Sequence, residues 1–159
     1  MSEKSRLSNP ATLVPELGQI GAALLKAVGN GSIPQTTVSL VQLRAGQIVG
    51  NTYLTVMHTG ILRKAEVSER RITAVASWQD SADFTEAERV AFALVEAVLA
   101  PNPHGERVSD DLYARAAAQY DEKALATVAV AIGQVGFFTP LALIGKPLPG
   151  ASPAEQWRD

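Results

Sequence analysis

Ser39-Leu40-Val41-Gln42-Leu43-Arg44-Ala45-Gly46-Gln47-Ile48-Val49-Gly50, followed by Asn51-Thr52-Tyr53-Leu54-Thr55-Val56-Met57-His58-Thr59, reads as two helices meeting at a break. Val38, Val41, Leu43 and Ile48 form an apolar face on the first, which Gly46 and Gly50 weaken and which should end near Val49. Asn51 is placed to cap the second, running to Lys64 or Ala65. On that helix Asn51, Leu54 and His58 fall on one face.

The pattern extends in both directions. Upstream, Asn9-Pro10 and the apolar series Leu13, Leu17, Ile20, Leu24 and Leu25 give a helix stopped by Gly29-Asn30-Gly31, with Pro15 disturbing its first turns. Ser32-Ile33-Pro34 opens the next helix. Downstream, Ser68 caps a short helix through Ile72, Val75 and Trp78. Thr85 and Glu88 form a capping box ahead of Val90, Phe92, Val95 and Leu99, with Phe84 as staple, and Pro101 to Gly105 ends that helix. Ser109-Asp110-Asp111 begins a helix to Gln119, and Asp121 begins a last one that Pro140 should bend or end. No useful stretch alternates with period two, so the expected fold is all-α, a single-domain bundle of about six or seven helices. Residues 1–9 are expected as a flexible N-terminus, 10–145 as the helical domain, and 146–159, with Pro147, Pro149, Gly150 and Pro153, as an irregular tail.

The 159 residues carry 14 basic and 16 acidic side chains, a net charge of -2, so no broad positive field exists to attract nucleic acid or an anionic membrane. No apolar run is read as reaching transmembrane length, and the polar start lacks a leader-like apolar core, so the expected compartment is the cytoplasm. The chain contains no cysteine, which removes disulfides, thiolate nucleophiles and cysteine-metal sites together. No H-x-x-x-H or H-E-x-x-H spacing suggests a metal site, and Gly29-Asn30-Gly31 follows a helix rather than cradling a phosphate; no metal or cofactor is expected.

The words Leu40 to Gly50, Tyr53 and Met57-His58-Thr59 resemble a segment of the carboxymuconolactone decarboxylase and AhpD-like alkylhydroperoxidase superfamily. The likeness continues through Val67-Ser68-Glu69-Arg70-Arg71, Ala76-Ser77-Trp78, Phe84 to Arg89 and Ala97-Val98. That family's C-x-x-C-x-x-x-H motif puts two thiols and an imidazole on one face at a helix start, where the dipole lowers a thiol pKa. A glutamate precedes it as relay base. Here the thiol positions hold Asn51 and Leu54, the glutamate position holds Ser39, and the histidine alone remains as His58. The resemblance thus implies an AhpD-like bundle with a degenerate site, and a homo-oligomer, whether dimer, trimer or hexamer.

His58 is the candidate catalytic acid or base, since imidazole titrates near neutrality and the other histidine, His104, lies in a proline-rich loop; the alternative is a satisfied core histidine. Tyr53, Asn51 and Thr55 are candidate substrate-binding residues, although for Asn51 the cap is the favoured reading. Arg44 could grip a carboxylate by its fork geometry or pair with an acidic side chain such as Glu88. Trp78, Phe84 and the Phe137-Phe138 pair are expected in the core. Two functions follow: a cysteine-independent lyase or isomerase acting on a small organic acid or lactone, or a catalytically silent ligand-binding or scaffold protein. A small molecule is the expected partner in either.

Overall fold

The computed structural model describes residues 4–100 and 105–158. Among them eight α-helices follow one another: α1 (Pro10–Leu13), α2 (Glu16–Val28), α3 (Gln35–Val49), α4 (Thr52–Lys64), α5 (Glu69–Ala74), α6 (Glu86–Leu99), α7 (Asp110–Ala117) and α8 (Glu122–Gly145), with a 3-10 segment, Val75–Asp80, after α5. The fold is all-α, an AhpD-like single-domain bundle. The expected first helix is split because Pro15 has no amide hydrogen to donate and drives Val14 out of the helical region, to φ -129° and ψ 87°.

Side-chain caps account for most of the starts. Asn51, Ser68, Thr85, Ser109 and Asp121 each accept a backbone N–H from the first turn of the following helix. The Thr85–Glu88 box closes in both directions, at 3.1 Å and 2.9 Å. The α3–α4 break depends on two glycines. Gly50 ends α3 at φ +70°, and Gly46 lets α4 approach, since a β-carbon there would stand 3.2 Å from Thr55 Cγ2.

Helix α3 is the centre of the bundle and is buried on nearly every side. Its Val38, Val41 and Ala45 join Leu54, Ala91, Val95, Val128, Ala131 and Val135 in one core cluster. Leu40 and Leu43 point into a second, with Leu62, Ile72, Val75, Trp78, Phe84 and Phe92. Trp78 and Phe84 are core residues as expected, packed on Phe92 at ring-centroid distances of 5.6 Å and 5.0 Å.

Three features depart from the sequence reading. Helix α8 does not stop at Pro140 but runs to Gly145. The missing proline amide leaves the Gly136 carbonyl unpaired within the helix, and both residues are exposed, so water can satisfy it. Continuous through the proline, α8 is long and apolar enough to cross a membrane, with a mean hydropathy of 1.8 over its best window; 33% of that window is buried inside the fold. Phe137 is 42% exposed rather than in the core.

The chain ends also carry contacts that their composition gave no sign of. The Arg158 amide donates to Ser5 Oγ at 2.7 Å, the Arg6 amide to the Gly145 carbonyl at 2.7 Å, and the Leu148 amide to the Gln156 carbonyl at 2.9 Å. Trp157 lies over Gly145, where a β-carbon would stand only 2.7 Å from the indole. The expected loop around His104 lies outside the described residues.

Candidate functional site

Helices α2, α3, α4 and α8, together with the start of α1 and the C-terminal segment, line a partly open cavity of about 660 Å³. The volume lies in the range of sites for small organic molecules. Its walls are largely apolar, from residues such as Leu17, Leu25, Met57, Ile61, Phe138 and Leu141. Polar groups enter from Ser39 and Gln42 on α3, Tyr53 and His58 on α4, Gln134 on α8, and Gln156 beyond it.

His58 occupies the middle of the stripe Leu54, His58, Leu62, spaced one turn apart and all buried. The residue is 5% exposed, and its Nδ1 is enclosed with no hydrogen-bond partner among the described residues. Burial pushes the imidazole pKa down to about 4, so the ring is neutral near pH 7. It is therefore neither the solvated base of a simple acid–base site nor a core histidine with both nitrogens satisfied.

Tyr53 lines the same cavity and donates its phenolic hydrogen to the Gln156 side-chain carbonyl; burial raises its pKa. Gln42 is 6% exposed and donates from Nε2 to Gln134 Oε1 at 2.7 Å and to the Ala131 carbonyl at 3.2 Å. The two amides thus brace α3 against α8 where both border the cavity.

The other three binding candidates stand elsewhere. Asn51 is 1% exposed, accepts the Leu54 amide at 3.1 Å as a cap, and donates to Thr139 Oγ1 at 3.2 Å. Thr55 donates to the Thr52 carbonyl and lines a separate, smaller depression with Leu43 and Gln47. Arg44 is paired, but with Glu96 rather than Glu88, through Nη2 at 2.8 Å and Nε at 3.2 Å. Glu88 is already engaged by its capping box and by Arg71 at 2.6 Å; Glu96, about two turns further along α6, is the carboxylate beside Arg44.

Sequence reasoning missed Gln42, Gln134, Phe138, Gln156 and Trp157 as cavity residues. For the first two a signal existed, an amide set within an apolar run between Val41 and Leu43 and between Ile132 and Val135. Nothing local marked Gln156 and Trp157.

The replaced thiol positions have ordinary structural duties. Asn51 caps α4, and Leu54, 5% exposed, packs in the core and contributes to the cavity wall. With no cysteine anywhere in the chain, peroxide reduction by a C-x-x-C thiol pair is excluded.

Comparison with known proteins agrees with the geometry. The uncharacterized protein YdfG of Bacillus subtilis is 29% identical over 132 residues, covering 82% of this chain and 88% of YdfG. The crystal structure of a protein of unknown function, ATU0492, from Agrobacterium tumefaciens, named with the antioxidant defence protein AhpD, superposes with a TM-score of 0.82 at 26% identity and covers 94% of this chain and 100% of that one. The debrominase Bmp8 in its apo form shares the fold, with a TM-score of 0.72, 22% identity, and coverage of 83% of this chain and 70% of that one. The model of the carboxymuconolactone decarboxylase family matches residues 15–97, just over half of the 159 residues. Those residues include α2 to α5 and most of α6, and so both walls that carry Ser39, Gln42, Tyr53 and His58; the chain belongs to the carboxymuconolactone decarboxylase family, as a member without the thiol pair.

Proposed function

We propose that this protein receives a small organic molecule in the cavity between α2, α3, α4 and α8, and that His58 is its principal polar contact. The observation that carries the reading is a buried, neutral histidine that lines a cavity of about 660 Å³ and whose Nδ1 has no partner among the described residues. A buried polar atom without a partner costs about 1–3 kcal/mol. Nδ1 itself is sealed while the imidazole keeps this orientation, so a ligand hydroxyl or a water recovers that cost where the ring turns toward the cavity, and bound material then gains at this position.

The reading has a catalytic form and a silent one. In the first, His58 moves a proton in a lyase or isomerase reaction without sulfur chemistry. In the second, the molecule is held and released unchanged. The low pKa of His58 favours the second, because general bases work best with a pKa near the operating pH and an imidazole held at about 4 is a weak one. Binding without conversion is the form the geometry supports best.

The test is to measure binding and turnover with a panel of lactones, β-keto acids and uncharged apolar alcohols, using wild type and His58→Gln. Binding that weakens about tenfold in the variant, with each compound recovered intact, is the expected result. Turnover that depends on His58 would replace the silent form by the catalytic one. Binding of the panel that is unaffected by the substitution would overturn the role of His58.

A further inference from the structure

We infer that the molecule taken by this cavity is uncharged, apolar over most of its length, with one or two hydrogen-bonding groups, rather than an organic anion. The inference rests on the binding reading above and specifies its ligand class. Among the described residues, no Lys, Arg, Asp or Glu lines the cavity. The polar wall groups are uncharged, and include the amides and hydroxyls of Ser39, Gln42, Gln134, Gln156 and Tyr53 besides the imidazole of His58.

A carboxylate carried to the inner wall, beside His58 and Gln42, loses its hydration and meets no opposite charge, an imbalance that ordinarily excludes the ionised form there. Arg44, the arginine of α3, lies outside the cavity and is held elsewhere. Arg44 is held by Glu96 through two hydrogen bonds, and the same carboxylate also accepts from Trp78 Nε1 at 2.9 Å and from Gln79. The start of α3 borders the cavity at Gln35 and Thr36, and its dipole is the feature that favours an anion. A helix end changes such affinities only a few-fold, too little to offset burial of a bare carboxylate.

Uncharged groups, by contrast, match what the wall offers. An alcohol, phenol, ketone or amide can exchange hydrogen bonds with His58 and the glutamine amides while its carbon skeleton covers Leu17, Ile61 and Leu141. The ligand class therefore differs from the small organic acid that the family resemblance suggested.

The experiment compares matched pairs on two skeletons, 1-decanol with decanoate and 2-naphthalenemethanol with 2-naphthoate, by equilibrium dialysis at pH 7.5 against wild type, His58→Gln and Gln156→Arg. The alcohol of at least one pair is expected to bind at least about tenfold more tightly than its carboxylate. Gln156→Arg, which adds a cation to the wall, is expected to narrow that gap. A carboxylate bound as tightly as its alcohol by wild type, and weakened by His58→Gln, would overturn the uncharged class and leave the binding reading standing. If the folded protein binds neither member of either pair, the binding reading falls and this inference with it.

Discussion

Arg44 and Glu96 join α3 to α6 through a hydrogen bond of 2.8 Å, and the carboxylate oxygen that accepts it also takes the indole N–H of Trp78 at 2.9 Å. Both side chains of the pair are largely shielded, at 18% and 24% exposed. Arg44→Met keeps much of the side-chain volume but leaves Glu96 partly desolvated without its cation. A loss of about 1–3 kcal/mol is expected in urea denaturation. Ligand affinity in the cavity should stay within about twofold of wild type, because Arg44 is outside it. A large affinity loss without a stability loss would return Arg44 to the binding site.

His58 makes folding sensitive to pH in one direction. In the unfolded chain the imidazole takes up a proton below about pH 6.5, whereas the folded protein accepts it only near pH 4. Between these values the unfolded state binds more protons, so stability falls as pH is lowered; above 6.5 the group contributes no pH dependence. The span corresponds to a loss of about 3 kcal/mol by pH 4. Denaturant midpoints at pH 7.5, 6, 5 and 4.5 should show a smaller decline in His58→Gln than in wild type. Equal slopes would mean that the imidazole is not held neutral by the fold.

Asn51→Ala separates capping from binding at the former thiol position. The variant loses the acceptor for the Leu54 amide and the donor to Thr139 Oγ1, inside a fully buried site. The expected cost is about 2 kcal/mol in thermal or chemical unfolding, with little change in affinity for any cavity ligand. A folded, equally stable variant that no longer binds would assign Asn51 to the ligand instead.

Gly145→Ala tests the docking of the C-terminal segment. Its β-carbon would stand 2.7 Å from Trp157 Cζ3 and 3.3 Å from Leu7 Cδ1. The expected consequence is displacement of Trp157, a loss of about 1–3 kcal/mol, and a red shift in the indole fluorescence, to which buried Trp78 contributes a constant background. Unchanged stability and emission would show that the segment yields without cost.

Much of the bundle was legible because its signals are local. A capping side chain followed by apolar residues at helical spacing marks α4, α6, α7 and α8, and the caps at Asn51, Thr85, Ser109 and Asp121 are all made. Of the two alternatives at Pro140, ending the helix is not realised, because the cost of a proline inside a helix depends on whether the abandoned carbonyl reaches water, which is a tertiary property. The site was less legible. Spacing placed His58 on an inward face, and Tyr53 joined it at the cavity, but Asn51, Thr55 and Arg44 were drawn into capping, backbone and ion-pair contacts. Which of two carboxylates Arg44 meets follows from the way α3 crosses α6, and the arrival of Gln156 and Trp157 follows from docking of a segment that has no periodicity.

The hydrogen bond from the Arg158 amide to Ser5 Oγ brings together residues from opposite ends of the chain. From Ser5 to Arg158 the backbone is almost a ring. A short Gly/Ser linker could close it, and new ends could then be opened between Gly105 and Ser109, whose residues are exposed or half-buried between α6 and α7. Such a circular permutant would keep every helix and the cavity walls while fastening Trp157 covalently on both sides.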